Sequence, residues 1–207
     1  MYGSMTMRLH LIRHGETTSN AEGRLQGHLD EPLSDRGERE AGLLAEKLAG
    51  MRIAALYASP LKRARSTADT ISDRLSLEIQ ERDFLMERDV GELSGLTGDE
   101  IGEQYPAWRE RRYLVNAGDI VPGYKRDEVF DERVIPNIFA LTEAHEEQEI
   151  AVVTHGGVIA AFCRHTLGIT IRRSMDISNA SITTFRITEG GDDAQMISLN
   201  DVCHLDA

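Results

Sequence analysis

The chain has 207 residues, of which 41% are hydrophobic, and its formal charge at pH 7 is −12. This length and composition suit a single domain with a sizeable core. Nucleic acid and anionic membranes are excluded as expected partners, because both bind extended basic surfaces. No stretch approaches the roughly 20 apolar residues of a membrane span, and the N-terminal segment lacks the apolar core of a secretory signal. We therefore expect one cytoplasmic domain over residues 1–207, with residues 1–7 outside the fold and both cysteines reduced.

The N-terminal region predicts a strand that ends in an arginine, a histidine and a glycine. Residues 9–12 form a short, β-prone apolar run, and Arg13, His14 and Gly15 follow it. A histidine at a strand end lies at the sheet edge where open α/β sheets bind ligands. Beside a fixed cation, His14 is a candidate to bind and attack a phosphoryl group. A structural histidine is an equally simple interpretation of this segment alone.

The next segments predict a helix, a strand, a second helix and a short strand. Apolar residues at 41, 44, 45 and 48 have helical spacing, and Gly50 is a plausible end of that helix. After an apolar strand at 53–57, Ser59 and Pro60 predict a helix over residues 60–75 that Ser59 caps. Arg63 then lies in the first helical turn, beside a second strand end. A short strand near 77–80 follows, and Glu87 comes after it.

The C-terminal half repeats the order of strand, histidine, glycine and helix. Apolar residues at 130, 134, 138 and 141 predict a helix that Pro136 should kink or divide. A buried strand at 151–154 leads to His155 and Gly156, where a helix N-terminus can approach an anion. Residues 181–187 and 195–199 alternate like strands. The fold class is therefore α/β, a three-layer sandwich with a mostly parallel central sheet, helices on both faces and an antiparallel edge.

Phosphoryl transfer through a histidine needs three further kinds of group. Neutral imidazole attacks through one ring nitrogen when the other is held as N–H, commonly by a backbone carbonyl. Cations must surround the phosphoryl oxygens, and an acid must protonate the leaving oxygen. The chain offers Arg13, Arg63 and His155 for the phosphoryl oxygens and Glu87 as the acid.

Separated blocks of the chain share one pattern from residue 9 to about residue 205. They are residues 13–17, the positions Asn20, Arg24, Gln26 and Gly27, and residues 32–37, 59–68, 87–95 and 154–158. Together these blocks resemble the histidine phosphatase superfamily, in its phosphoglycerate mutase-like branch. The resemblance implies a phosphoglycerate mutase-like fold with a substrate-binding role for Asn20, Arg24, Gln26, Gly27 and Gly156.

Three departures from the family pattern bear on the substrate. Ser19 stands where many members have tryptophan, and Asp89 and Val90 replace the histidine and tyrosine usual in phosphoglycerate mutases. A Gly-Glu-Ser motif common in the family is absent, and residues 122–125 are its nearest local equivalent. These departures weaken the mutase assignment and leave the phosphatase assignment standing.

The resemblance implies a two-step transfer through phosphohistidine. His14 would attack the phosphoryl group in line, while the two arginines and His155 hold its oxygens. Glu87 would protonate the departing alkoxide and then draw a proton from the attacking water. Glu92 and Glu81 lie nearby in sequence as alternative acids.

The expected function is metal-independent hydrolysis of a small soluble phosphate monoester, with no cofactor. A phosphoglycerate mutase and a non-catalytic module that binds phosphorylated ligands are the alternatives. His10 and His14 do not supply the ligand set of a zinc site. A homodimer is compatible with the sequence. Residues 108–112, with three arginines and a tryptophan, predict either an anion site or a charged helix face.

The C-terminal segment, residues 199–205, resembles an ending found in several phosphatases of the family. Val202 and Leu205 give it apolar anchors, whereas most chain termini fray. If the anchors dock at the carboxyl edge of the sheet, His204 is expected to reach the non-phosphate end of the substrate. The alternative is a surface histidine on a tail. For His28, substrate contact and a purely structural place are equally compatible with the sequence.

Overall fold

The computed structural model of the protein describes residues 6–107, 117–145, 147–168, 177–188 and 194–206. The strands of this part of the chain are β1 (Thr6–Arg13), β2 (Ile53–Ala58), β3 (Ile79–Glu81), β4 (Glu149–Thr154), β5 (Ile182–Thr188) and β6 (Ala194–Asp201). They form one sheet in the order β3-β2-β4-β1-β5-β6. Strands β3, β2, β4 and β1 are parallel to one another, and β5 and β6 add an antiparallel edge. The mostly parallel sheet with an antiparallel edge is confirmed.

Helices cover both faces of the sheet. They are α1 (Thr18–Ala21), α2 (Asp35–Ala49), α3 (Lys62–Leu75), α4 (Gly98–Gln104), α5 (Asp127–Glu143) and α6 (Gly156–Leu167). Side chains alternate across the sheet, so Leu9 and Leu11 join the core under α5 and α6, whereas Ile12 joins the core under α2 and α3. The expected three layers are therefore present. No helix in the described ranges is long and apolar enough to cross a membrane.

The first turn of α2 packs directly against the backbone that follows β1. Ser34 caps this helix by accepting a hydrogen bond from the Gly37 N–H at 3.1 Å. A Cβ atom at Gly37 would lie 2.0 Å from the Glu16 carbonyl oxygen, and one at Gly15 would lie 2.5 Å from the Gly37 oxygen. Two glycines therefore allow the backbone contact that supports the segment after His14.

The start of α3 differs from the prediction. The helix begins at Lys62 with Leu61 as its N-cap residue, so Ser59 does not cap it and Pro60 precedes it. The Ser59 hydroxyl is bonded to His155 across the site instead, at 2.8 Å. Arg63 still lies in the first helical turn, and the helix ends at Leu75 as predicted.

Pro136 does not divide α5, which runs unbroken through it. The missing N–H costs the helix one hydrogen bond. Phe130, Val134 and Ile138 are almost completely buried against the sheet, and their packing holds the helix together. The prediction that Pro136 divides the helix is therefore wrong, and the alternative of a kink stays a prediction.

The N-terminal boundary also differs from the expectation. Thr6 and Met7 belong to β1, and Met7 is buried in the core. The placement of residues 1–7 outside the fold is therefore wrong for these two, while residues 1–5 lie outside the described ranges. β3 begins two residues later than predicted, at Ile79.

Candidate active site

A cavity of about 840 Å³ lies where the carboxyl ends of β1 and β4 meet the start of α3. Nine of the eleven residues predicted from the sequence line it. They are Arg13, His14, Asn20, Arg24, Gln26, Gly27, Arg63, Glu87 and Gly156. The two others are His155, which is fully buried beside His14, and His204, which contacts the Ala180 carbonyl oxygen.

His14 is held in one protonation form by its two partners. Its Nδ1 atom lies 2.7 Å from the Gly15 carbonyl oxygen, and Arg63 Nε donates to its Nε2 atom at 3.2 Å. A carbonyl only accepts and a guanidinium only donates, so Nδ1 carries the proton and the Nε2 electron pair accepts the Arg63 N–H. Burial, and then the charges of Arg13 and Arg63, hold the pKa of His14 well below its usual value of 6.5. His14 is therefore neutral, and its Nδ1 is held by a backbone carbonyl as expected from the sequence.

Arg63 connects His14 to the loop of residues 27–29. Its side chain is 1% exposed, and its two terminal nitrogens donate to the carbonyl oxygens of Leu29 and Gly27 at 2.7 and 2.8 Å. One turn later in α3, the Thr67 hydroxyl accepts the Gly15 N–H at 3.1 Å. Thr67 was not predicted from the sequence, although its helical spacing of four residues from Arg63 was a usable signal.

The segment after residue 176 fixes the other side of the β1 end. Arg13 donates to the carbonyl oxygen of Ile177. The Asn179 amide donates to the His14 carbonyl oxygen and to Asn20 Oδ1, both at 3.1 Å. Asn20 is therefore connected to the His14 backbone through Asn179, a residue with no signal in the sequence pattern.

His155 lies beside His14, at the N-terminus of α6. It is fully buried, and its ring centre lies 5.2 Å from that of His14. Its Nε2 atom and the Ser59 hydroxyl are 2.8 Å apart, whereas its Nδ1 atom is buried with no hydrogen-bond partner among the described residues. Burial and the charge of Arg63 keep the pKa of His155 well below 6.5.

Glu87 lies against the first turn of α6. Its Oε2 accepts the Gly157 N–H at 3.0 Å, and its Oε1 accepts the Arg88 N–H at 2.7 Å. The side chain lines the same cavity as His14. A carboxyl group held at this point can exchange a proton with a group bound to the phosphoryl centre.

The alternative acids lie elsewhere. Glu92 accepts a hydrogen bond from the Tyr105 hydroxyl and Glu81 pairs with Arg65, and neither lines the cavity. His28 contacts the Glu87 carbonyl oxygen at 2.7 Å, so it supports the backbone of the proposed acid. Of the three acids considered from the sequence, Glu87 is therefore the one that lines the same cavity as His14.

The outer part of the cavity is built on the loop 24–27. Arg24 pairs with Glu22 and Glu100 at 2.9 and 2.8 Å. Gln26 is 7% exposed, and its Oε1 has no partner among the described residues. The backbone contact at Gly27 requires glycine, because φ is +53° and a Cβ atom would lie 2.7 Å from a methyl carbon of Val90.

A second segment reaches the cavity from the region after α4. Val90 forms an isolated antiparallel bridge with Tyr124, and both residues line the cavity. Tyr124 belongs to residues 122–125, identified from the sequence as the nearest equivalent of a missing family motif, so one residue of that segment lies at the site. The basic residues at 108–112 lie outside the described ranges.

The prediction for His204 is wrong. Its ring is buried, does not line the cavity, and has its Nε2 3.0 Å from the Ala180 carbonyl oxygen. A buried carbonyl needs a donor, and His204 meets that need inside the protein. The tail itself docks as expected, with Leu205 packed against the core under α2 and Val202 at the cavity.

Within the described residues, no three histidine, cysteine, aspartate or glutamate side chains cluster so that they could hold a metal ion.

The sequence matches the histidine phosphatase superfamily (branch 1) over residues 9–201. The chain belongs to this superfamily. It is 33% identical to phosphoserine phosphatase 1 of Hydrogenobacter thermophilus over 96% of this chain and 94% of that protein. It is 35% identical to phosphoglycerate mutase-like protein 4 of Arabidopsis thaliana over 95% and 86% of the two chains.

The solved structure of YhfR from Bacillus stearothermophilus superposes with a TM-score of 0.86 at 26% identity, covering 96% of this chain and 99% of that one. The three-layer arrangement is therefore that of the superfamily. With the family match and a phosphatase-named relative, the chain is identified as a phosphatase.

Proposed function

We propose that this phosphatase hydrolyses a small soluble phosphate monoester through a phosphohistidine at His14, without a metal ion. The observation that carries the proposal is the pair of bonds on His14, which leaves the Nε2 electron pair as the reactive one. The similarity to a phosphoserine phosphatase supports the substrate class.

In the first step, His14 Nε2 forms a bond to phosphorus while the bond from phosphorus to the ester oxygen breaks. Glu87 delivers its proton to the leaving alkoxide, and the alcohol departs. In the second step, water attacks phosphorus and the phosphorus–nitrogen bond breaks. Glu87 takes a proton from that water, so inorganic phosphate leaves and both side chains return to their starting forms.

Arg13 and Arg63 supply the positive charge that phosphoryl transfer requires. Both guanidinium groups line the cavity next to His14, and both lower its pKa. Fixed donors beside the reacting group stabilise the charge that develops on the phosphoryl oxygens. In other phosphatases a bound metal ion supplies this stabilisation.

One labelling experiment tests both the intermediate and the metal independence. The enzyme is mixed rapidly with a radioactively labelled phosphate ester in excess chelator, then quenched in alkali, which preserves phosphohistidine. We expect a label on the wild-type enzyme, and we expect His14→Ala to lose the label and at least ~10³-fold in kcat. His165→Ala, at an exposed histidine, is the control and should behave like wild type.

Two outcomes would contradict the proposal in different ways. A label on a residue other than His14 would show that the nucleophile is misassigned. Loss of turnover in the chelator, with recovery on adding zinc or magnesium, would show that a metal is required.

Phosphoglycerate mutase activity is the second candidate, because a relative carries the name phosphoglycerate mutase-like. Val90 puts an apolar side chain at the cavity, at the position where mutases usually have a polar one. Water should therefore reach the phosphohistidine more readily than in a mutase.

With 3-phosphoglycerate and a bisphosphorylated primer, we expect any phosphate release to exceed isomer formation. Phosphorus NMR of the reaction mixture measures both products at once. Primer-dependent isomerisation much faster than hydrolysis would assign the protein as a mutase.

A further inference from the structure

We infer that Ser59 selects the tautomer of His155 and so directs the Nδ1–H of this histidine to the transferring phosphoryl group. Ser59 is then a positioning residue, because it touches His155 and not the substrate. The inference rests on the proposed function, since it assigns the phosphoryl group as the partner of His155.

The two histidines of the site have different kinds of partner. The ring of His14 is bonded to the carbonyl oxygen of Gly15, which can only accept a hydrogen bond. The ring of His155 is bonded to the Ser59 hydroxyl, which can donate or accept. A hydroxyl can therefore donate to an unprotonated Nε2 of His155, which leaves the ring proton on Nδ1. A carbonyl in the same place could not donate.

The contacts of the Ser59 hydroxyl decide which of the two groups donates. Ser59 is fully buried, and its oxygen is approached by the Leu61 N–H at 3.4 Å and by His155 Nε2 at 2.8 Å. The Leu61 N–H is a donor, so it takes an electron pair of the oxygen. Within the described ranges, His155 Nε2 is the acceptor that the hydroxyl hydrogen reaches.

The two tautomers of His155 differ in how many buried polar groups they leave without a hydrogen-bond partner. If His155 donates from Nε2, both the Ser59 O–H and the Nδ1 electron pair are buried without a partner. If Ser59 donates to Nε2, the Nδ1–H alone is without a partner. Each buried polar group without a partner costs free energy, so the second arrangement, with one such group instead of two, is favoured before any ligand binds.

A phosphoryl group on His14 completes the second arrangement. The His155 ring lies beside that of His14, with 5.2 Å between centres, and its Nδ1 has no described protein partner. An N–H directed at a phosphoryl oxygen stabilises it, whereas an electron pair at the same place would repel it. Because burial keeps the pKa of His155 low, the ring has one N–H, and the position of that N–H matters.

Nitrogen-15 NMR of the histidine side chains reads the tautomer directly, in the free enzyme and with vanadate bound. The His155 signals are assigned by their absence in His155→Gln. In the wild type, we expect a protonated Nδ1 and an unprotonated Nε2. In Ser59→Ala, we expect a mixture of tautomers, with kcat about tenfold lower and KM little changed, because one donor to the phosphoryl group is weakened.

Two variants control for packing. Ser59→Thr keeps a hydroxyl and should restore both the tautomer and kcat. Ser181→Ala removes another fully buried hydroxyl, one with no hydrogen-bond partner among the described residues, and should change neither.

A wild-type spectrum with Nε2 protonated, with both nitrogens protonated, or unchanged in Ser59→Ala would overturn the inference. Equal kcat in Ser59→Ala and the wild type would overturn it too. If the wild type hydrolysed no phosphate ester, the proposed function would fail, while the spectrum of the free enzyme would still decide what Ser59 does.

Discussion

The carboxyl group of Glu87 occupies the space that a side chain at residue 157 would need, so this position requires glycine. A Cβ atom at Gly157 would lie 2.1 Å from Glu87 Oε1, so Gly157→Ala must displace the carboxyl group. We expect kcat to fall by about 10²-fold, the typical contribution of a positioned acid and base, with little change in KM. Steady-state kinetics on an ester with a poor leaving group measures the loss.

The neighbouring glycine is the matched control. A Cβ atom at Gly156 would meet Arg13 side-chain atoms at 3.8 Å, which is an ordinary contact. Gly156→Ala should therefore cost much less than Gly157→Ala. Similar losses in the two variants would mean that the helix N-terminus, rather than Glu87, is disturbed, and the acid role would lose its support.

At the scale of single residues, the sequence predicts the groups that carry charge and misses those that hold them. His14 follows a strand and Arg63 lies in the first turn of a helix, so their place at the sheet edge can be read from local patterns. Asn179 bonds to His14 across 165 positions of the chain. No local pattern contains that contact, because it exists only when β5 lies beside β1.

At the scale of elements, the contact between α2 and the segment after β1 is the most sensitive to added volume. Gly37→Ala would place a Cβ atom 2.0 Å from the Glu16 carbonyl oxygen, a contact that backbone can relieve only by moving. We expect the free energy of unfolding to fall by about 1–3 kcal/mol, as in other overpacked sites. Denaturant titration followed by circular dichroism measures it.

Gly42 in the same helix provides the control. A Cβ atom there would meet nothing within 4 Å, so Gly42→Ala should stabilise the protein by about 0.5–1 kcal/mol through helix propensity. Destabilisation by both variants to the same extent would show that the Gly37 contact is not special.

Element boundaries were predicted less well than element types, for identifiable reasons. Ser59 and Pro60 form a good helix-start pattern, but the Ser59 hydroxyl is bonded to His155, and α3 begins later. Pro136 is a reliable helix breaker only where packing does not oppose it. In both cases a tertiary contact outweighs a local preference.

At the scale of the whole molecule, buried histidines make stability depend on pH. Burial is the main cause that lowers the pKa of His10, His14, His155 and His204 below 6.5. In the unfolded chain these groups bind protons near pH 6.5, whereas in the folded protein they bind them only at lower pH. Above pH 6.5 these histidines are neutral in both states, and the protein has its full stability. As the pH falls below 6.5, the unfolded chain binds protons that the folded protein does not, so the free energy of unfolding falls.

We expect the melting temperature to be level near pH 7–8 and to drop from about pH 6.5 downward. Each histidine adds up to about 1.4 kcal/mol per pH unit to the slope of the free energy of unfolding. Calorimetry across this range measures the slope. His204→Gln should reduce the slope by the contribution of one histidine. An unchanged slope would contradict the lowered pKa of His204.

The strand order also determines when the enzyme becomes complete during synthesis. β4 lies between β1 and β2, yet it is made about 90 residues after β2 ends, and these two strands bond to it and not to each other. In a nascent chain that ends before Glu149, His14 follows β1 and Arg63 follows β2, but the strand that pairs with both is missing. Pairing over such separations is slow to form. The ribosome must deliver most of the chain before the two halves of the active site can meet.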